Sequence, residues 1–234
     1  MRGSRLIIIE SFLKKAKEKA AFTLVELIVA MAISGIVAGG LYTIYLSQQR
    51  SFATQEQMVR LQEKMRAALY FMAREVSMAG CDPTGEAGAG IILADSDQLR
   101  FTEDIDGDGD IDEYNEDIEY SLYKSGGVQK LGRRSPSTAP RQPVAEHIDA
   151  LDFVYLDKDG NTLSTPLSEE ELSKIRSIEI TIVGRSEGPD PNYVNTNVYK
   201  NQQGETIFGP PNDHYRRLLL SVEVFCRNLA FKGH

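Results

Sequence analysis

Cysteine occurs twice in 234 residues and histidine three times. Two cysteines are too few for a disulfide-rich scaffold, although Cys81 and Cys226 suffice for one bridge in an oxidising compartment. His147 precedes a strand pattern, His214 sits in a polar loop and His234 ends the chain. Each reads as a surface histidine rather than a base or ligand. The chain has no G-x-S-x-G, no Walker loop, no H-E-x-x-H and no C-x-x-C. The motifs that mark many hydrolases, NTPases, zinc peptidases and thiol oxidoreductases are therefore missing. No catalytic residue is expected. An excess of positive charge is missing as well: the net charge is -8. Residues 1–21 carry six basic side chains (Arg2, Arg5, Lys14, Lys15, Lys17, Lys19) against Glu10 and Glu18, so the remainder stands at -12. Phosphate repels such a body, which excludes a general nucleic-acid binder.

What is present begins with one apolar run. From Phe22 to Tyr45 the sequence FTLVELIVAMAISGIVAGGLYTIY contains a single charge, Glu26. As a helix it would span roughly 36 Å, enough for a hydrocarbon core of about 30 Å. The basic residues just before it place residues 1–21 in the cytoplasm and everything after Tyr45 outside. A secretory signal would be cut after the apolar core, near Ala38, Gly39 and Gly40. A plain signal anchor would explain the length. Neither gives Glu26 a role, yet a carboxylate in such a segment is costly and usually has a partner.

The stretch Lys19-Ala20-Ala21-Phe22-Thr23-Leu24-Val25-Glu26 resembles the type IV prepilin motif of a basic leader, a small residue, F-T-L-[VI]-E and an apolar helix. The resemblance implies cleavage between Ala21 and Phe22 by a prepilin peptidase and methylation of the new amino group of Phe22. The family usually has Gly before the cut, where this chain has Ala21. Glu26 becomes the fifth mature residue and the assembly residue. Its carboxylate would meet the amine of a neighbouring subunit in low dielectric, repaying part of the desolvation of both ions and fixing the axial stagger.

The helix pattern continues past the membrane. Residues 47–78 contain no Pro or Gly, and Met58, Leu61, Met65, Leu69, Met72 and Val76 form an apolar stripe at helical spacing. The stripe is where a globular domain should dock, and Gly80 is the expected C-cap. Gly35, Gly39 and Gly40 permit close helix–helix approach or local melting. Beyond Gly80, strands are expected at 91–93, 98–102, 117–123, 127–131, 148–156, 175–183 and 217–227. The alternation of Ile178, Ile180 and Ile182 with Glu179 and Thr181 marks one buried face. Residues 157–161 read as a hairpin turn, and Ser168 with Glu171 as a capping box. Residues 185–214, with four prolines, read as a polar loop that binds or moves. The fold class is α+β: a long N-terminal helix, its apolar half in the membrane, packed on an antiparallel sheet domain. The expected divisions are leader 1–21, membrane half 22–45, outer half of the helix 46–80 and β-rich domain 81–234.

The segment Lys64-Met65-Arg66-Ala67-Ala68 through Ala79-Gly80-Cys81-Asp82-Pro83, and the closing Phe225-Cys226-Arg227-Asn228, resemble PilW-like minor pilins. That implies a low-abundance subunit of a type IV pilus, or of the related type II secretion pseudopilus, in a complex that primes assembly at the filament tip. Implied partners are other minor pilins, the major pilin, the prepilin peptidase and the inner-membrane assembly platform. The implied location is the bacterial inner membrane, single-pass with a periplasmic domain, and the pilus tip after assembly. Competing readings are an anchored calcium-dependent adhesion module and an anchored hydrolase using carboxylates of the acidic loop.

That loop, Asp104 to Glu116, has its own chemistry. Counted from Asp104, carboxylates fall at positions one, three and five (Asp104, Asp106, Asp108), Gly109 at six, Asp110 at seven, Ile111 at eight and Asp112 at nine, the spacing of a calcium loop. Position twelve is Asn115, so Glu116 would substitute, with Glu113 a further candidate. A solvated acidic turn is the alternative, and Asp157, Asp159 and Asn161 echo the pattern weakly. Cys81 and Cys226 would form a disulfide tying the last strand to the helix end; two buried free thiols are the alternative.

Overall fold

The computed structural model describes residues 22–231. The leader, including its basic residues and Ala21, lies outside the described residues, as does His234. Helix α1 runs Leu24–Val76. Thr23 and Glu26 start it as a capping box, an N-terminus signature legible as T-x-x-E. The chain divides into two compact units between Ala53 and Thr54. The globular unit thus includes α1 from Thr54 onward.

Within that unit the α1 stripe is buried as its spacing requires: Leu61, Met65, Leu69, Met72 and Val76, with Met58 partly covered. The helix gives way to turns after Val76. Gly80 adopts φ +75, and its N–H donates to the Thr102 carbonyl. A Cβ on Gly80 would lie 2.5 Å from Leu229 Cδ2, so both backbone and packing demand glycine.

An antiparallel meander follows: β1 (Ile91–Ala94), β2 (Gln98–Thr102), β3 (Asp117–Ser125), β4 (Val128–Arg134) and β5 (Gln142–Glu146), in that spatial order. A second antiparallel sheet comprises β6 (Ile148–Leu156), β7 (Thr162–Leu163), β8 (Ser177–Arg185) and β11 (Arg217–Phe225), ordered β11-β8-β6-β7. The core face of β8 aligns Ile178, Ile180 and Ile182 with Tyr155, Phe153 and Leu151 on one side and Val224, Val222 and Leu220 on the other. One hydrophobic core joins this face, the meander residues Leu99, Phe101, Ile118, Tyr120 and Leu131, and the α1 stripe. A Cβ on Gly184 would sit 2.6 Å from Met65 Sδ, which shows how closely helix and sheet approach. Helix α2 (Glu169–Leu172) starts at Ser168 with the expected capping box, and α3 (Arg227–Phe231) closes the chain.

Two expectations are corrected. The second face of β8 is not solvated: Glu179 and Thr181 are buried. The reason is the segment after β8, which is neither free nor irregular throughout. Its hairpin strands β9 (Tyr199–Lys200) and β10 (Thr206–Phe208) place Tyr199, Ile207 and Phe208 on Ala150, Val183 and Leu219 as a second small core. Gln203 Nε2 donates to Glu179 Oε2 at 2.7 Å, and Asn201 Nδ2 to Asp152 Oδ2 at 3.0 Å. Arg216 pairs with Asp190, and Arg217 with Asp149 and Asp213, pinning both ends of the segment. The other correction concerns the cysteines. The expected disulfide between Cys81 and Cys226 is not formed. Cys226 is buried with Sγ 3.8 Å from the Val76 carbonyl oxygen, and burial pushes its thiol up to about 12. It packs as a small neutral hydrophobe.

Candidate functional site

Three places carry chemistry. The first is the start of α1. Glu26 Oε2 accepts hydrogen bonds from the Thr23 backbone N–H at 2.9 Å and the Thr23 hydroxyl at 2.8 Å, while the Thr23 hydroxyl oxygen accepts from the Glu26 N–H at 3.2 Å. The acid thus sits at the positive end of the helix, where a carboxylate is favoured and the first N–H groups lack intrahelical acceptors. Around it the large apolar side chains stand open: Phe22, Leu24, Val25, Leu27 and Ile28 are all more than half exposed. The most apolar stretch of α1 is not buried by any of the described residues. Gly35, Gly39 and Gly40 face open space, and Thr43 Oγ1 donates to the Gly39 and Gly40 carbonyls at 2.8 and 2.9 Å. Among the described residues the glycines therefore make no close approach, and small residues at such positions permit one by another helix.

Residues 17–42 match the family model of the prokaryotic N-terminal methylation motif. The chain is type IV pilin-like at its N-terminus. Its leading helix is long and apolar enough to cross a membrane, and the globular unit has an α+β fold. A solved structure, a type IV-like pilin from Thermus thermophilus, is similar with a TM-score of 0.48 at 17% identity, covering 73% of this chain and 98% of that one. No curated protein matches the chain. Of the residues expected at the processing site, Phe22 is described and exposed, and Ala21 lies outside the described residues.

The acidic loop connects β2 to β3. Ligand oxygens of Asp104, Asp106 and Asp108 lie within 4.8 Å of one another. Asp104 is fully buried, and its carboxylate accepts from the N–H groups of Gly107 at 2.6 Å and Gly109 at 3.3 Å. Both glycines have positive φ, which lets the chain wrap round that carboxylate. Glu116, also buried, closes the loop from its far end: Oε1 accepts from Ile105 N–H at 3.0 Å and Oε2 from Glu113 N–H at 3.1 Å. Asn115 at position twelve turns away, with φ +76 and its side-chain oxygen on Arg133 Nη2 at 2.9 Å. Glu116 thus occupies the end of the loop that Asn115 leaves. Asp110 and Asp112 stand outside the close group. Asp112 N–H donates to Asp110 Oδ1 at 3.1 Å, and the hydrogen bond and charge of Asp110 raise the Asp112 carboxyl. Asp106, foremost among its neighbours, raises that of Glu113. Crowded carboxylates that raise one another form the donor set a hard cation would relieve.

Behind the loop lies a cluster that sequence reasoning missed. Glu75 on α1 accepts from Arg133 Nε at 2.9 and 3.1 Å and from the Tyr120 hydroxyl. Burial raises the Tyr120 hydroxyl far above its ordinary range. Arg133 also lies 5.9 Å over the Phe71 ring. Glu103, 5% exposed, has its carboxyl raised to about 7, first by burial and then by the charge of Glu75. No sequence signal links these residues, because α1, β3, β4 and the residue after β2 meet only in three dimensions.

Proposed function

We propose that this chain is a PilW-like minor pilin, cleaved between Ala21 and Phe22, methylated on Phe22, and built into a type IV filament through α1. In this reading it is a structural subunit rather than an enzyme. Its partners are the major and other minor pilins, the prepilin peptidase and the inner-membrane platform. Its domain faces the periplasm and then the filament tip, where it primes assembly. A type II secretion pseudopilus would use the same N-terminus. The observation that supports the reading is a single acid, fifth from the expected cut, in an apolar stretch of helix whose surface is left uncovered by the described residues.

The Thr23–Glu26 capping box gives Glu26 a second, intramolecular role. The two roles separate by substitution. Glutamine can take the N3 position of a capping box but has no charge to offer a neighbour's ammonium. Glu26→Gln should therefore leave the helix start intact and stop incorporation into filaments. Filament fractions from cells carrying the variant provide the measurement; normal incorporation would reject the assembly role.

The acidic loop supports a second element, a bound calcium ion held by Asp104, Asp106, Asp108 and Glu116, with Asp110 and Asp112 closing the loop. The ion would neutralise the mutual repulsion of these groups and hold the β2–β3 connection. Affinity in the range of extracellular modules, about 10⁻⁴–10⁻³ M, is expected. Calcium titration of the purified chain against a chelated control tests it.

A further inference from the structure

The two main sheets end in β1 and β5, and in β7 and β11, and three of these edges are shortened or blocked. Strand β7 is two residues long. Strand β5 contains Pro143 and shifts register against β4. Strand β1 has four residues and a register shift against β2, and its Ala94 carbonyl accepts from the Leu167 N–H at 3.1 Å. Short strands, prolines and bulges of this kind keep a sheet from pairing with another chain. Strand β11 has none of them. It is nine residues long, without proline or lysine, and it pairs with β8 in unbroken register from Arg217 to Phe225.

The register fixes which backbone groups β11 leaves over. At its two ends the Ser186 N–H donates to the Arg216 carbonyl at 2.8 Å, and the Cys226 N–H to the Arg176 carbonyl at 2.9 Å. In an antiparallel pair the exchanged bonds fall on every second residue, so Leu218, Leu220 and Val222 turn their N–H and C=O toward β8. Leu219, Ser221, Glu223 and Phe225 turn theirs the other way, where the sheet has no further strand. Among the described residues no other backbone group meets them. The side chains beside this edge are half open as well. Leu218, Leu220 and Val222 are only partly buried, while their β8 partners Ile180 and Ile182 are fully covered. On the opposite face, exposed Glu223 accepts from the Ser177 hydroxyl at 2.8 Å, which holds its carboxylate over β8 rather than across the edge.

Donors and acceptors repeating at every second residue are matched by an extended backbone, which names the occupant. We infer that β11 takes up an extended segment of another protein as an added antiparallel strand. Apolar residues at alternate positions of that segment cover Leu218, Leu220 and Val222, and a lysine or arginine on its other face lies opposite Glu223. Main-chain bonds hold the segment, and the alternation of its side chains sets its register. The site uses no residue of the apolar stretch of α1, so it stands or falls separately from the assembly reading.

The test uses the full chain in neutral phosphatidylcholine nanodiscs, titrated calorimetrically with an acetylated, amidated Val-Lys-Val-Thr-Val-Thr-Val peptide. Saturable binding is expected. N-methylation of the lysine and both threonines removes the N–H groups that face β11 and should weaken binding about tenfold or more. N-methylation of the two inner valines, whose N–H groups point away, should leave it. Glu223→Gln should weaken it about two- to fivefold, the size of one cross-strand ion pair. Ser221→Pro removes an outward donor and no bond to β8, so it should weaken binding while its unfolding temperature shows that it is folded. Residue-resolved hydrogen exchange should show the peptide protecting the Ser221 and Glu223 amides, with Leu220 and Val222 unchanged. Glu26→Gln should bind the peptide as the parent chain does. No saturable binding, equal binding of the two N-methylated peptides, protection that does not alternate, or pairing of two copies through β11 without peptide would overturn the proposal.

Discussion

Replacing Arg133 by methionine removes the guanidinium and keeps much of the side-chain volume. Arg133 and Glu75 are covered to 10% and 17% side-chain exposure and are joined at 2.9 Å. Removing one partner of such a pair leaves a buried charge uncompensated and costs about 3–5 kcal/mol. Here Glu75 also faces the neighbouring charge of Glu103, so the upper half of that range applies. For a domain of this size each kcal/mol moves Tm by roughly 2–4 °C, so Arg133→Met should lower Tm by roughly 8–20 °C. The chain has no tryptophan but ten tyrosines, which makes near-ultraviolet circular dichroism a suitable probe of the β domain. Adding Glu75→Gln to Arg133→Met removes the stranded charge while leaving an acceptor for the Tyr120 hydroxyl. The double variant should recover most of the loss. A single-variant cost below about 1 kcal/mol, or strictly additive losses, would refute the idea that this pair is an electrostatic unit.

Other consequences follow from the same structure. Calcium at 10 to 100 times its dissociation constant should stabilise the chain by about 1.4–2.7 kcal/mol, and Asp104→Asn should remove the response; a Tm unchanged by chelator would reject the site. Gly184→Val should cost about 1–3 kcal/mol by crowding Met65 and Leu61, measured by chemical denaturation. Arg216 holds the Asp190 carboxyl below its ordinary range by hydrogen bonding, and Arg217 does so for Asp213. Folded-state values below the unfolded value of about 3.9 mean that this stabilisation is complete above that pH and lost as pH falls through the folded values. Hydrogen-exchange protection within 186–216 should therefore fall in acid before that of β8.

What could be read from the sequence was what repeats locally. The helical stripe from Met58 to Val76, the alternation around Ile180 and the turn at 157–161 each declare themselves through periodicity or turn chemistry. Strand β5 did not, because its second residue, Pro143, cannot donate to a ladder; as an edge strand it tolerates that proline. The burial of Glu179 was equally invisible, since an alternating strand looks the same whether its polar face meets water or an Asn- and Gln-bearing hairpin. In the acidic loop, spacing gave Asp104, Asp106 and Asp108 their proximity. The outward turn of Asn115 depends on Arg133, eighteen residues away. Thr23 was legible as a cap and was overshadowed by the prepilin reading of the same residues.

The central claim is that Glu26 waits for an ammonium created by proteolysis at the residue four positions before it. The mass of the N-terminal peptide of the protein isolated from cells tests it most directly. The account requires a chain that begins at Phe22 and bears one extra methyl group. A chain that still begins at Met1, or one that has lost the whole run from Phe22 to Tyr45, would contradict it.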